Sequence, residues 1–582
     1  MVVVMIMRLR INVNKDGSKN YYVLKSYRTD AGKSTTQIVE KLGTFEELAK
    51  VHDNPESWAR AYVEELNRQE ASAQRNITFS YSPSTLIEKD RQNLFNGGYL
   101  FLQKIFYELR LDYICKKISE KYAFSYSLRD ILAHLVYGRI LEPCSKLATY
   151  SYAQTLLEAP TYALEDVYRA LEVIGQEKDF IQSSLYKFSK ATGKRNDKVL
   201  YYDCTNYYFE IEQEKGMRKY GPSKEHRPNP IVEMGMFMDG DGIPLAFCIH
   251  DGNTNEQKTL KPLEEQIMQD FGHAKFIVCT DAGLSSSANR KFNDRGERAF
   301  ITTQSIKKMK QFQREWALSP TGWHLPGHKE TFDLEQILAD ETLCEKYFQW
   351  TFYKETWFNE NDIEQKYIVT FSLKYRSYQR KIRNEQIARA ERALASSINK
   401  QERTRQSDYK RFITRIPVTE SGEVAERTQY ALNEAKIREE EQYDGFYAVA
   451  TNLDDDPEAI IRINHGRWEI EECFRIMKYE FKARPVYLSR DARITAHFTI
   501  CFLALTLFRY LEKMLGHKYT CEQISNGLRQ MKFRKLEDVG YLPAYTRNDF
   551  TDALHEAFGF RTDYEILSKS RMRNLISLTK KK

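Results

Sequence analysis

The sequence predicts an α/β protein: a mixed sheet with flanking helices, carrying a β-rich insertion and preceded by a small β-meander and a helical domain. Three observations carry this expectation. Residues 199–303 read strand, strand, strand, helix, strand, helix, strand, with the apolar period switching between two and 3.6. Residues 80–195 hold few Gly or Pro and read as helices, with breaks at Pro143 and Pro160. Residues 1–50 alternate like short strands, with turns at Lys15-Asp16-Gly17 and Asp30-Ala31-Gly32.

In chain order, 1–54 is the meander and 55–195 the helical domain. Tyr and Lys/Arg are interleaved in that domain (Tyr137-Gly138-Arg139, Lys146, Tyr150, Tyr168-Arg169). The mixture suits a DNA-binding module; a purely structural helical domain is the other reading. The core takes 196–305 and 446–515. It starts with a strong strand at 199–209, a basic loop at 215–230 and a hairpin (231–238, 243–250) turning at Gly240-Asp241-Gly242. Helix 260–271, an apolar strand at 275–280, helix 285–294 and strand 299–303 follow. Residues 306–445 form the insertion, with strands at 348–357 and 365–373 and a basic helix near 376–400. Strand 446–451 returns to the core, then a helix over 464–478 and an apolar helix over 493–515. The last region, 516–582, is basic and helical.

Composition narrows the class. A chain of 582 residues with 42% hydrophobic and 13% aromatic content folds, and is long enough for two to four domains. Its formal charge of +7 arises from 88 basic and 81 acidic residues, so local clusters matter more than the total. Basic excess gathers in 372–416 and in 567–582, which suits a phosphate polyanion or a solvated tail. Nine scattered cysteines without a C-x-x-C pair argue against a zinc ribbon and a disulfide framework. The apolar stretch 1–7 lacks the charge order of a signal peptide, and 498–508 is too short to span a bilayer. The expectation is a cytoplasmic protein with no membrane partner.

Three acids stand out. Asp203 sits mid-strand among aromatics, where an ionised carboxylate is costly unless it is paired or binds a metal. Asp281 ends an apolar strand, where α/β sheets place their chemistry; a helix-cap role is the bland alternative. Glu471 lies in the helical stretch 464–478. At about 100° per residue, Glu471 and Lys478 fall within about 40° of Arg467. Ile470, Phe474, Met477 and Phe481 form the adjoining apolar stripe; Glu469, Glu472 and Glu480 fall opposite, as solvated surface. An ordinary ion-paired helix is the bland reading. A first strand bearing Asp, a fourth ending in Asp and a late helix presenting Glu is an order of the ribonuclease-H-like fold. Three hard carboxylates suit two Mg²⁺ or Mn²⁺ ions, which together can clamp a phosphodiester.

Further motifs join these: Gly221-Pro-Ser-Lys-Glu-His-Arg-Pro228, Asp241-Gly-Ile-Pro-Leu245, His250-Asp-Gly-Asn-Thr-Asn255, Thr451-Asn452 and Ala483-Arg-Pro-Val-Tyr487. With Tyr202-Asp203-Cys204-Thr205-Asn206, Thr280-Asp281-Ala282-Gly283-Leu284 and Arg467-x₃-Glu471-x₆-Lys478, the chain resembles the DDE transposases of bacterial insertion sequences, in the cut-and-paste group with a Tyr-Arg-Glu-Lys signature. The resemblance covers about 199–510. It departs at 464, where Asn464 stands in place of the signature tyrosine; Asn can donate to a phosphate but cannot stack on a base.

The resemblance implies that Asp203, Asp281 and Glu471 are the catalytic metal ligands, and that Arg467, Lys478 and Asn464 contact DNA. It implies metal-dependent cleavage at terminal inverted repeats, then strand transfer into target DNA by a homodimer at the nucleoid. The insertion's basic helix, through Arg383 and Arg389, is a candidate clamp on DNA; a solvated helix is the alternative. A catalytically silent DNA-binding descendant and a stand-alone metal-dependent nuclease are the other functional readings.

Overall fold

The computed structural model describes residues 7–14, 17–28, 34–72, 82–193, 195–395, 408–418, 427–537 and 539–581. They form two compact units. The smaller takes the chain through Asn93 together with Lys535–Tyr541 and Ile566–Leu575; the larger takes the rest.

In the smaller unit, strands Met7–Val13, Lys19–Arg28 and Ser34–Thr44 make an antiparallel meander. The expected turns at Lys15-Asp16-Gly17 and Asp30-Ala31-Gly32 fall largely outside the described residues. Helix Pro55–Ser72 packs on this sheet, with Ala59 and Trp58 against Tyr21, Leu9 and Ile11. The sequence grouped that helix with the helical domain downstream. Its apolar face is instead used up locally, by the sheet just before it.

The larger unit is built on one mixed ten-stranded sheet. Its strands are β1 (Val199–Tyr208), β2 (Ile231–Asp239), β3 (Pro244–Asp251), β4 (Ile277–Thr280) and β5 (Ala299–Thr303), then β6 (Trp323–His324), β7 (Thr331–Phe332), β8 (Thr351–Glu360), β9 (Ile363–Ser372) and β10 (Phe446–Thr451). The order across the sheet is β7-β6-β8-β9-β10-β5-β4-β1-β2-β3. Only β1, β4 and β5 run parallel to one another; the hairpin β2–β3 extends one edge antiparallel.

Residues 306–445, expected as an insertion with strands and a basic helix, add their strands to the core sheet. β9 is buried almost throughout and pairs with β10 along its length, so β6 to β9 continue the core sheet. The continuous apolar run Tyr367-Ile-Val-Thr-Phe371 needs cover on both faces, and a central position supplies it. The basic helix runs Leu373–Ala395 and leaves β9 directly; the rest of the expected helix, 396–400, lies outside the described residues.

The apolar run 498–508 is the middle of helix Asp491–Met514, long and apolar enough to cross a membrane by composition but buried within the fold. It packs against helices Leu128–Leu141 and Leu164–Gln176. Those helices also bury much of the interleaved pattern read as DNA-facing. Tyr137, Arg139 and Lys146 are all interior, so they form no exposed basic surface. The C-terminal region is mixed rather than purely helical: Lys532–Leu536 pairs with Leu94–Asn96, and Gly540–Pro543 with Leu567–Ser568.

Candidate active site

Strand register sets the position of the first two acids. Val199, Leu200 and Tyr201 of β1 lie level with Ile277, Val278 and Cys279 of β4, in parallel. The pairing ends there; Asp203 lies two residues farther along β1 and Asp281 just past the end of β4, close enough for its charge to act on Asp203. Side chains two apart on a strand share a face. Tyr201 donates its hydroxyl to Ile463 O (2.9 Å), Thr205 accepts from Lys478 Nζ, and Tyr207 lies beneath the Lys478 ammonium. Asp203 therefore belongs to the row that faces the late helices.

Its charge state reflects this placement. Burial raises the Asp203 carboxyl most, to about 6. Lys224 and Arg467 pull it down, as does the bond from Cys204 N (2.8 Å), while the charge of Asp281 pushes it up. Two like charges side by side in a partly desolvated place favour a bound cation. Asp281 also caps its own turn, as its Oδ1 accepts from Leu284 N at 3.1 Å.

The stretch 464–478 is not one continuous helix. Pro457–His465 ends at Gly466, Trp468–Arg475 follows, and Ile476–Glu480 winds as a π-helical turn. Glycine is required at 466, since a Cβ there would meet Tyr201 Oη at 2.2 Å. The apolar stripe is placed as expected: Ile470, Phe474, Met477 and Phe481 are all buried, each contributing about 1.5–3 kcal/mol. The polar side divides. Glu471 is 62% exposed and its Oε1 lies 3.6 Å from Arg467 Nη1. Arg467 is largely buried, acts on Asp203 electrostatically, and leaves Nε buried without a partner. Lys478 is carried by the π-turn away from Glu471 to Thr205 and Tyr207, where burial pushes its ammonium down to about 8. Glu469, expected as surface, pairs with the buried Arg509 of the long helix.

Among the described residues the three acids do not gather one ligand atom each within 4.8 Å; the trio that does is Asp552, His555 and Asp563, through two carboxylate oxygens and a ring nitrogen. That trio is already neutralised. Arg561 lies 2.5 Å from Asp552 and 2.6 Å from Asp563, Arg547 sits 2.9 Å from Asp552, and His555 Nε2 is bonded to Thr562.

A family model described as "Transposase DDE domain" matches residues 209–507, just over half of the chain. The chain belongs to that family. Together with the large mixed sheet and its flanking helices, this fits a ribonuclease-H-like core, and makes the protein a transposase with DNA as its partner. Asp281 and Glu471 fall inside the matched span; Asp203 lies just upstream of it. No curated protein matches the chain. Among solved structures it is similar to a cryo-EM structure of the piggyBac transposase synaptic complex with hairpin DNA. The identity is 8% and the TM-score 0.36, over 85% of this chain and 86% of that one, and so distant a likeness carries no argument.

In this transposase the remaining expected contacts divide. Asn464 is buried; its Nδ2 donates to Tyr447 Oη at 2.9 Å, and its Oδ1 lies near Cys279 Sγ. It bridges Tyr447 and Cys279 on the inner face of its helix, at the wall of the pocket that Arg467 and Glu471 also line. Arg383 is buried too. Its fork meets Asp444 at 2.5 and 2.6 Å, so the expected clamp residue is an internal ion pair. Arg389, on the same helix, is exposed.

Two charged residues near β1 lie outside the sequence expectation: Lys224, which acts on Asp203, and Glu233, level with Asn206 on the neighbouring strand. Lys224 Nζ lies 2.5 Å from Cys204 O and 2.8 Å from Glu256. Glu233 is buried and pushed up to about 8, chiefly by burial and then by Glu256. The signals were there: Lys224 stands inside a quoted motif, and Glu233 is the lone charge in the apolar run 231–238.

Proposed function

We propose that this chain is the transposase of a bacterial insertion sequence, cutting DNA at the element's terminal inverted repeats and joining the freed 3′ ends to target DNA. Asp203, Asp281 and Glu471 are assigned as the ligands of two Mg²⁺ or Mn²⁺ ions. When bound, such ions supply Lewis-acid activation of water and stabilise a departing oxygen. The donors fit in kind, being hard oxygens. The observation that supports the reading is the parallel pairing of β1 with β4 up to Tyr201 and Cys279, which leads Asp203 and Asp281 toward the same end of adjacent strands, with the charge of Asp281 acting on Asp203, within a chain of this family.

The protein's own residues do the rest. Arg467 can turn one arm of its fork from Glu471 to a phosphate oxygen. That frees Glu471, which is exposed. Lys478, anchored on Thr205, presents a point charge farther along β1. The family habit of cutting with paired ends favours a homodimer acting at the nucleoid, in the cytoplasm.

The test is a nicking assay on a duplex carrying the element's own terminal repeat, with Mg²⁺ or Mn²⁺. Wild type should nick; Asp281→Ala and Glu471→Gln should bind the duplex and not nick it. If Glu471→Gln nicked as well as wild type, the site assignment would be wrong. A second reading, a silent DNA-binding descendant, is favoured by Glu471 lying paired and apart from the two aspartates. Binding by wild type with no nicking under any divalent ion would establish it.

A further inference from the structure

A second concentration of positive charge lies away from the acids. It lines a cavity of about 460 Å³ between the helical region and the loop after the π-turn. Arg139, Lys146, Lys482, Arg484 and Arg493 contribute to its wall, and no carboxylate does among the described residues. Arg493 is balanced by Glu172 (2.8 Å) and Arg484 by Glu225, both outside the wall.

Lys146 has no such balance. It is 5% exposed, its Nζ has no hydrogen-bond partner, and the strongest charge acting on it is another cation, Arg139. Arg139 bonds only partly: its Nη groups donate to Phe481 O (3.1 Å) and Cys144 O (3.2 Å), and its Nε is buried without a partner. His497, also on the wall, gives Nε2 to Ala483 O (2.9 Å) and is held neutral by burial and by these same cations. A buried amine beside a guanidinium, with no counter-charge from the chain, stays charged only by taking an anion from outside, and otherwise sheds its proton. Helix Lys146–Ala153 adds the positive end of its dipole at the same point.

The site also has a direction. Val486 N donates to Tyr208 O (3.2 Å), so the cavity loop docks at the far end of β1, about 17 Å along the strand from Asp203. Tyr487, 65% exposed, offers an aromatic face at the rim. We propose that this cavity binds a phosphate group of a nucleic-acid strand, seated between Lys146 and Arg139, with the adjoining nucleotide against Tyr487. The identity of the strand rests on the transposase reading above; the phosphate chemistry rests on the cavity alone.

The experiment compares full-length wild type, Lys146→Met, Lys146→Arg and the rim variant Lys482→Gln, in EDTA so that no cutting occurs. Anisotropy reads binding of labelled oligonucleotides with and without a 5′-phosphate. Thermal melting reads stability with and without inorganic phosphate. Lys146→Met should weaken oligonucleotide binding about tenfold to a hundredfold while melting no lower than wild type. Lys146→Arg should retain most of the affinity, and Lys482→Gln should lose a few-fold. A 5′-phosphate preference lost in Lys146→Met assigns a strand end; equal loss on both oligonucleotides assigns the backbone. Inorganic phosphate that raises the melting point of wild type but not of Lys146→Met assigns the free anion as sufficient. If Lys146→Met and Lys482→Gln bind as wild type does, the cavity is not the site, whatever the nicking assay says. If nicking is absent but Lys146-dependent binding persists, the site stands and the transposase mechanism falls.

Discussion

Arg383 and Lys146 are both buried cations, and they meet opposite surroundings. Arg383 sits on the most basic helix of the chain, yet both arms of its fork are taken by Asp444. Lys146 starts a short, unremarked helix, and nothing in the chain answers its charge. A basic run in sequence thus reports composition, not availability. What decides whether a cation can take a phosphate is whether the fold has already spent it.

The largest effect that tests this contrast is at Asp444. Asp444→Ala leaves Arg383 buried with only the longer pairing to Glu441 (3.5 Å), and should cost about 3 kcal/mol, read from urea unfolding. Replacing both partners, Arg383→Met with Asp444→Leu, should recover most of that loss, because neither desolvated charge remains. A cost under about 1 kcal/mol for Asp444→Ala would mean the pair is not holding the helix, and the contrast with Lys146 would fail.

At Lys146 the opposite sign is expected. Burial, then Arg139, pushes its ammonium down to about 7 from 10.5. Between those values the unfolded chain binds a proton that the folded chain does not, so wild-type stability rises with pH across the window. Below about 7 both states are protonated and the full penalty is present. Lys146→Met should therefore be more stable than wild type, by about 1–3 kcal/mol at pH 6, with the gap closing as pH climbs toward 10. Denaturant midpoints across pH 6 to 10 check it. A variant less stable than wild type at pH 6 would show that a partner satisfies the charge.

These two residues also mark where sequence reading stops. The strands were legible because buried strands are continuous apolar runs: β1, β2, β5 and β10 stand within a residue of their expected bounds. The apolar stripe of the Glu471 helix was legible for the same reason. What the period does not encode is which strands pair, so β8 and β9 were read as an insertion although they extend the core sheet. It does not encode the break at Gly466, which Tyr201 imposes from β1, or the π-turn that carries Lys478 away from Glu471. At the site, Asp203 and Asp281 could be singled out from their strands, but their nearness needs the strand pairing. Lys146 could be named only as one of the interleaved cations and Glu233 not at all, since a missing partner is a tertiary fact.

The smallest effect separates two arginines on one helix. Arg389 is exposed on Leu373–Ala395, six residues from Arg383, and its position is open to solvent rather than to Asp444. If the helix touches DNA, Arg389→Glu should weaken binding by about 1 kcal/mol and lower the salt slope by about one counterion, without moving the melting point. Arg383→Gln should do the reverse, lowering the melting point because Asp444 keeps only the weaker pairing to Arg380 (3.4 Å), and changing the salt slope little in the protein that stays folded. The two readouts are independent, so neither variant can imitate the other. An unchanged slope in Arg389→Glu returns this helix to solvated surface, and leaves Lys146 as the cation by which the region outside the acids holds a strand.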